Sequence, residues 1–270
     1  MHITPISRYS NEILAITRQN NLAALENFIQ QKRETDANYT PPLHDLLQAA
    51  TDCRAPEIAA YCLENGQKAS GGIMTSVVTN SSFAVYRLLI EYKAVNINYY
   101  VGWYGDILGT KAHSNELDWV RFCLAHGADP NLNKVHDNIT ALACAVSTGN
   151  LEMVELMLRH GAKIEGSGAI VMAAIENNME MLRFLLDRGA DIDEVGIEGP
   201  AGDECYEDMG SALHQAATEG YTEMALFLID AGANIYLKDL LGRTAEDLAS
   251  EKGHAEILSA LRRKLGAVKE

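Results

Sequence analysis

Aromatic residues are scarce in this chain of 270 residues, at 7% of the total, although hydrophobic residues of all kinds make up 47%. Basic residues are also few. The 22 Lys and Arg residues stand against 37 Asp and Glu residues, for a formal net charge of −15. An acidic surface of this size repels a phosphate backbone, so we expect no direct binding of nucleic acid. The charge instead indicates either a basic protein partner or a need for solubility.

The five cysteines are an odd number and include no C-x-x-C pair, which argues against a disulfide framework or a zinc site. We expect buried free thiols in a reducing compartment, and Cys62 and Cys123 stand at helix positions that normally face a core. The N-terminal residues contain no apolar signal region, and no apolar run reaches the length of a membrane span. We therefore expect a protein of the cytoplasm or the nucleus that contacts no membrane.

Catalytic and nucleotide-binding motifs are also missing, since the chain contains no G-x-S-x-G, no H-E-x-x-H and no P-loop. The string Gly166-Ser167-Gly168 begins like G-x-G-x-x-G, but Val171 stands where the third glycine would be. His113 is followed by Ser114, yet adjacent residues on a helix point apart and do not form a nucleophile pair. The sequence thus predicts a protein that is not an enzyme and that holds no cofactor and no metal.

What the chain does contain is a repeated pair of short helices, clearest in residues 140–162, TALACAVSTGNLEMVELMLRHGA. Thr140 is a suitable N-cap for an alanine-rich first helix, and Gly149-Asn150 breaks that helix. Leu151, Val154 and Leu158 then recur at helical spacing before a His-Gly pair ends the second helix. A narrow, alanine-rich helix lets the next copy of the unit pack closely.

Related stretches occur at residues 168–190, 211–233 and 244–261, with weaker copies at 11–30, 43–66, 72–94 and 106–128. The turns inside these units fall near residues 20, 53, 81, 115, 149, 177, 220 and 253, most often 33 or 34 residues apart. This period, the A-A, G-H and L-L-x-x-G-A positions, and the segment ALHQAATEGYTE at 212–223 resemble the ankyrin repeat family. The family's T-P-L-H opening is mostly lost.

The resemblance implies an all-α ankyrin-repeat solenoid, a single domain of about eight helix-turn-helix units over residues 1–270 with loops between the units. We predict a C-terminal cap at residues 251–270, because an end unit needs a polar outer face. We predict a loop at residues 31–42, which end in two prolines. Several histidines stand at repeat positions where the ring commonly bonds to loop backbone: His126, His160, His214 and His254.

The same resemblance implies that partners bind in a concave groove formed by the loops and by the exposed side of each first helix. The groove positions taken from the alignment to the repeat are polar and small, which suits protein recognition better than a deep ligand pocket. These positions are Thr110, His113, Ser114, Ser147, Thr148, Ile175, Glu176, Gln215, Thr218 and Glu219.

One unusual loop, residues 96–106 (NINYYVGWYGD), is called the aromatic loop because it holds Tyr99, Tyr100, Trp103 and Tyr104. Tyr and Trp dominate binding hot spots, since they offer a large contact area at a low cost in entropy. Two glycines in the loop allow a tight turn that presents the rings. The rings either form such a hot spot or pack on the neighbouring loops.

A second unusual loop, residues 191–210, is called the acidic loop because it carries eight acids and no Lys or Arg. A loop this long is usually functional or disordered. It does not fit a calcium-binding EF-hand, because Val195 occupies a ligand position and Gly202 stands where the bidentate Glu must be. We predict either a dock for a basic segment or a solvated loop. The acids are Asp191, Asp193, Glu194, Glu198, Asp203, Glu204, Glu207 and Asp208.

These features predict a non-catalytic protein-protein interaction module, a monomeric scaffold or adaptor that binds a basic or amphipathic segment between the aromatic loop and the acidic loop. The first alternative is an enzyme or small-ligand-binding protein, which needs a deep pocket lined by His113, Cys144 and the aromatic loop. The second alternative is a structural subunit of an assembly that uses the aromatic loop in a permanent interface.

Overall fold

The structure is a computed structural model that describes residues 11–135, 139–195 and 210–267. In these ranges the chain forms sixteen α-helices, one short 3-10 helix and one pair of two-residue strands. The all-α class predicted from the sequence is therefore confirmed. Contacts between residues divide the chain into two compact units, Met1–Val101 (unit 1) and Gly102–Glu270 (unit 2).

Unit 1 contains three pairs of helices in its described part. They are α1 (Asn11–Arg18) with α2 (Leu22–Thr35), α3 (Leu43–Cys53) with α4 (Pro56–Glu64), and α5 (Gly71–Asn80) with α6 (Phe83–Glu91). The first helices contact one another in the order α1, α3, α5, and the second helices in the order α2, α4, α6. Each pair therefore packs on the next pair along the chain.

Unit 2 begins with the 3-10 helix Gly102–Tyr104 and continues with five helix pairs. The pairs are α7 (Ile107–His113) with α8 (Leu117–Ala125), α9 (Ala141–Ser147) with α10 (Leu151–Arg159), α11 (Ala169–Ile175) with α12 (Met179–Leu186), α13 (Ala212–Glu219) with α14 (Thr222–Asp230), and α15 (Ala245–Lys252) with α16 (Ala255–Ala267). Strands β1 (Lys134–Val135) and β2 (Ile139–Thr140) pair antiparallel just before α9.

The first helices of unit 2 form the centre of its core. Helix α9 contacts both α7 and α11, and all six residues from Ala141 to Val146 are buried. Its small side chains allow this burial on every side, whereas α10 buries only a stripe that includes Val154 and Met157. The N-cap predicted for α9 is confirmed, since the Thr140 hydroxyl accepts a hydrogen bond from the Ala143 N–H at 3.1 Å.

A residue with positive φ stands in the turn of each of the eight helix pairs: Asn20, Arg54, Ser81, Asn115, Gly149, Asn177, Gly220 and Gly253. The predicted turn positions are confirmed, with the second turn at residue 54 instead of 53. Glycine and asparagine adopt the left-handed conformation at low cost, which explains six of these positions. Arg54 and Ser81 adopt it at a cost, with φ of 57° and 48°.

We expect Arg54→Gly to raise the free energy of unfolding of unit 1 by about 0.5–1 kcal/mol. Glycine removes a left-handed strain of roughly 1–2 kcal/mol, and its larger freedom in the unfolded chain offsets part of that gain. Urea denaturation followed by circular dichroism measures the change. Arg54→Ala is the control, because alanine removes the side chain but keeps the strain. Equal stabilities of the two variants would show that the turn is not strained.

The prediction of a loop at residues 31–42 is wrong for its first five residues. Helix α2 continues to Thr35 and ends where Asp36 adopts an extended conformation, with φ of −141°. The segment QKRET at 31–35 consists mostly of good helix formers, so nothing in it stops the helix. The prolines at 41 and 42 lie too far downstream to end α2.

Candidate interaction surface

In unit 2, a loop joins the end of each second helix to the next first helix. The segments between these helices are called the interrepeat loops and span residues 126–140, 160–168, 187–211 and 231–244, of which 136–138 and 196–209 lie outside the described residues. Residues 102–106 lead into α7. Three of them contain the same turn, in which a side-chain oxygen of Asp129, Asp191 or Asn234 accepts the backbone N–H two residues later at 2.9, 2.9 and 3.0 Å. Such turns form from the local sequence and give the loops a common start.

Side chains from one interrepeat loop bond to the backbone of the next. Asn131 accepts the Lys163 N–H through Oδ1 at 2.9 Å and donates through Nδ2 to the Gly161 carbonyl at 2.9 Å. Asp193 likewise accepts the Asn234 N–H at 2.7 Å. These bonds connect successive loops and satisfy backbone groups that the turns leave unpaired, so the loops support one another.

The carboxylate of Glu194 connects the acidic loop to the loop before it. It accepts the N–H of Gly168 at 2.6 Å and the N–H of Gly166 at 3.3 Å. Burial raises the pKa of Glu194, and the two hydrogen bonds partly offset that rise. The bond from Gly168 is short, as is typical of a bond to a charged acceptor.

Large apolar side chains are exposed on the loops of unit 2. Their exposed fractions are 55% for Trp103, 38% for Tyr104, 57% for Leu132, 54% for Tyr236, 57% for Leu240 and 60% for Leu241. Single exposed hydrophobic residues are ordinary on a protein surface, but six of them on three loops of one unit indicate an interaction surface. Sequence reasoning missed Leu132, Tyr236, Leu240 and Leu241. The signal that could have found the last two was a Leu-Leu pair directly before Gly242, in a turn where polar residues are usual.

The backbone of Tyr104 is held by the start of α7. The Tyr104 carbonyl accepts a hydrogen bond from the Thr110 hydroxyl at 2.7 Å. Asp106, which is buried, caps α7 by accepting the Gly109 N–H at 2.8 Å, and its other carboxylate oxygen accepts from Asn133 at 2.9 Å. Burial raises the pKa of Asp106 despite these bonds. The carboxylate therefore links the aromatic loop to the loop that carries Leu132.

The other two rings of the aromatic loop belong to unit 1, because the division between the units falls after Val101. Tyr100 is 47% exposed. Tyr99 is half-buried, and its hydroxyl lies 3.3 Å from the position that a Cβ on Gly71 would occupy. The sequence predicts that these rings either form a binding hot spot or pack on neighbouring loops, and local packing describes Tyr99 better than Tyr100.

The groove positions predicted on first helices divide into three groups. The hydroxyls of Thr110, Ser147, Thr148 and Thr218 each donate to a backbone carbonyl at 2.7–2.9 Å, so their protons are already used. Ile175 and Gln215 form the second group and are half-buried. The exposed group consists of His113, Ser114, Glu176 and Glu219, which stand at or next to the ends of α7, α11 and α13.

Only the ends of the acidic loop lie in the described residues. There Asp191, Asp193 and Glu194 all accept backbone N–H groups, as described above. Val195 forms an antiparallel bridge with Ser211, which brings the two ends of the loop together. The five acids of this loop predicted to bind a partner lie outside the described residues: Glu198, Asp203, Glu204, Glu207 and Asp208.

Of the predicted scaffold histidines, His214 bonds to loop backbone as predicted, whereas His126 and His254 bond to carbonyls inside helices. The ring of His126 lies 2.8 Å from the Phe122 carbonyl, and that of His254 lies 3.1 Å from the Thr218 carbonyl. His214 is buried, and its Nε2 lies 3.1 Å from the Leu237 carbonyl and 3.2 Å from the Arg243 carbonyl. His214 therefore fastens α13 to the last interrepeat loop.

That last loop, residues 231–244, is also organised by Asp239. Its carboxylate accepts the N–H groups of Leu241 and Arg243 at 3.0 and 2.8 Å and the Arg243 Nε–H at 2.8 Å. Burial raises the pKa of Asp239, but the two hydrogen bonds from Arg243 and the positive charge of Arg243 outweigh burial and hold the pKa below its usual range. The exposed Leu240 and Leu241 are thus carried on a rigid turn.

The alternative of an active site or ligand pocket finds no support among the residues it named. Cys144 is fully buried inside α9, and burial raises the pKa of its thiol to about 12, as it does for Cys62. Within the described ranges, His, Cys, Asp and Glu residues form no group of three that could hold a metal ion. No helix in the same ranges is long and apolar enough to cross a membrane.

Stacked helix pairs joined by loops that bond to one another define a helical repeat protein. Two family descriptions match the chain: ankyrin repeats (3 copies) over residues 108–195, and ankyrin repeats (many copies) over residues 213–262. Together they cover just over half of the chain, which therefore belongs to the ankyrin repeat family. A search of curated proteins finds no match. The repeats in this family are generally protein-protein interaction modules.

Proposed function

We propose that this chain is a non-catalytic interaction module, and that a partner segment binds along the interrepeat loops and first-helix ends of unit 2. The observation that carries the proposal is the set of exposed apolar side chains on these loops, from Trp103 to Leu241. The loops are held by hydrogen bonds to one another, so a partner meets a surface that is already ordered. A preorganised surface loses little entropy on binding, and Trp and Tyr are the residues that most often dominate such contacts.

The partner segment that we propose is basic or amphipathic. The chain carries a net charge of −15, and Glu176 and Glu219 are exposed at the ends of α11 and α13, two helices that contact each other. A surface that offers both carboxylates and exposed apolar groups suits a segment that carries Lys or Arg together with apolar residues. A role as a monomeric scaffold or adaptor in the cytoplasm, without nucleic-acid binding, belongs to the same proposal.

The test is affinity capture from a native lysate, followed by affinity measurement on each captured protein. We expect Trp103→Ala combined with Tyr104→Ala to weaken binding at least about 30-fold, since a hot-spot truncation costs roughly 2 kcal/mol or more. Tyr92→Ala is the matched control, because Tyr92 is 39% exposed but lies at the end of α6, outside the loops. Equal capture by both variants, or capture of no protein by the parent, would contradict the proposal.

The charge of the partner is tested in the same experiment. We expect Glu176→Gln with Glu219→Gln to weaken binding several-fold at low salt and less at high salt, because ions screen exposed charges. The control is Glu180→Gln with Glu223→Gln, which removes the same charge from exposed positions on the second helices α12 and α14. An affinity that does not change with salt would argue against a basic segment.

A further inference from the structure

The hydrogen bonds of His214 define a single neutral form of its ring. The Nδ1 atom lies 3.1 Å from the backbone nitrogen of Ser211, whose N–H can only donate, so Nδ1 accepts. The Nε2 atom lies 3.1 and 3.2 Å from the carbonyls of Leu237 and Arg243, which can only accept, so Nε2 carries the proton. Backbone groups on both sides therefore select the neutral ring with its proton on Nε2.

A second proton on this ring has no suitable place. It would bind to Nδ1 and face the Ser211 N–H, so that two donors would point at each other. The Ser211 hydroxyl, 2.9 Å from Nδ1, can accept the new proton, but the backbone N–H would still lose its acceptor. Both residues are only 2% exposed, so little water reaches the charge. An imidazolium gains its hydration only when the ring leaves this site.

The charges around the ring do not remove this penalty. Elements packed against α13 carry charges at Glu223 and Asp230 of α14, at Glu246, Asp247, Glu251 and Lys252 of α15, and at Lys238, Asp239 and Arg243 of the last loop. Burial lowers the pKa of His214, and the positive charge of Arg243 lowers it further. The negative charge of Asp239 and the hydrogen bonds to the two carbonyls raise the pKa, but the net shift is downward. The neutral ring is therefore the stable form in the folded protein.

We propose that His214 is a pH-sensitive clamp on residues 234–244, and that protonation of its ring releases this loop from α13. Movement of the ring breaks its bonds to the Leu237 and Arg243 carbonyls, which stand on either side of the exposed Leu240 and Leu241. The direction of the pH dependence follows from the difference between the pKa of the ring in the clamped loop and in the released loop. The released ring has the ordinary pKa of about 6.5, so acid favours the released loop as the pH falls below that value.

Amide hydrogen exchange tests the clamp without any partner, so its outcome does not depend on the proposed function. The N–H groups of Leu241 and Arg243 are bonded to Asp239 and exchange when the loop opens. After correction for intrinsic rates, we expect their opening constant to rise up to about tenfold per pH unit as the pH falls from about 6.5. The Asn131 N–H, which bonds to Asp129 in an equivalent turn, is the internal reference and should not change in this way.

Two variants and one titration decide the result. His214→Gln keeps a side-chain donor and acceptor but does not titrate, so its loop should show no rise. His126→Gln is the control and should behave as the parent, because the protonated His126 ring can still donate to the Phe122 carbonyl. An NMR titration of the His214 ring in the parent needs no variant, and we expect its pKa below 6.5. A ring pKa at or above 6.5, or an equal rise in His214→Gln, would overturn the proposal.

Discussion

Gly105→Ala is expected to lower the free energy of unfolding of unit 2 by about 3 kcal/mol. Gly105 has a φ of +77°, where an L-residue costs roughly 1–2 kcal/mol. A Cβ at this position would also lie 2.5 Å from the carbonyl oxygen of Lys134 and 3.2 Å from the Cα of Val135. These are backbone atoms of the β1 strand and cannot rotate away, so the two loops must separate at a further cost of roughly 1–3 kcal/mol.

The same separation should disturb the surface that carries Trp103 and Tyr104. Gly102→Ala is the matched control, because Gly102 also has a positive φ, of +50°, but no heavy atom lies within 4 Å of its added Cβ. We expect Gly102→Ala to lower the free energy of unfolding by only about 1 kcal/mol. Urea unfolding followed by tryptophan fluorescence measures both, since Trp103 and Trp119 both belong to unit 2. Equal losses in the two variants would show that contact with Lys134 does not matter.

Asp239→Ala is also expected to lower the free energy of unfolding by about 3 kcal/mol, because it removes a buried carboxylate that accepts three hydrogen bonds. The side chain of Asp239 is fully buried, and its removal leaves the N–H groups of Leu241 and Arg243 without their acceptor. Asp247→Ala is the control. That carboxylate accepts from the Thr244 N–H and hydroxyl at 2.9 and 2.8 Å but is exposed, so we expect a loss of about 1 kcal/mol.

The dependence of stability on pH gives the same prediction a second readout. The folded-state pKa of Asp239 is lowered, so its contribution is fully present above the unfolded pKa of about 3.9 and is lost as the pH falls through the folded pKa. The difference in stability between the parent and Asp239→Ala should therefore shrink below about pH 4. Groups with raised pKa values, such as Asp106 and Glu194, are common to both proteins and cancel in the difference. A difference that stays constant down to pH 2 would contradict the ionised role of Asp239.

The aromatic loop shows where inference from the sequence ends. Its four rings lie within six positions of the sequence, and their composition alone is consistent with either a hot spot or local packing. The structure places Tyr99 over Gly71 in unit 1 and leaves Trp103 55% exposed in unit 2. Whether a ring is covered depends on what a distant segment contributes, and no local pattern in residues 96–106 contains that information.

The acidic loop shows the same limit for charge. Its composition predicts a dock for a basic segment or a solvated loop, yet Asp193 and Glu194 accept backbone N–H groups of neighbouring loops. The sequence could not reveal these bonds, because the donors Asn234 and Gly168 lie 41 and 26 residues away. Counting charges therefore overstated how many carboxylates near the loop ends are available to a partner.

The sequence by itself determined the helix pairs, their period and the residue at each turn. These features depend on a few neighbouring residues, through N-caps such as Thr140, left-handed positions such as Asn115 and Gly149, and the 3.6-residue spacing of apolar side chains. Only the tertiary structure decided which loop side chains bond to the next loop, why Gly105 must be glycine, and that Leu132, Leu240 and Leu241 are exposed. Those outcomes arise where segments about 30 residues apart meet, and the energy of such a meeting is not a property of either segment alone.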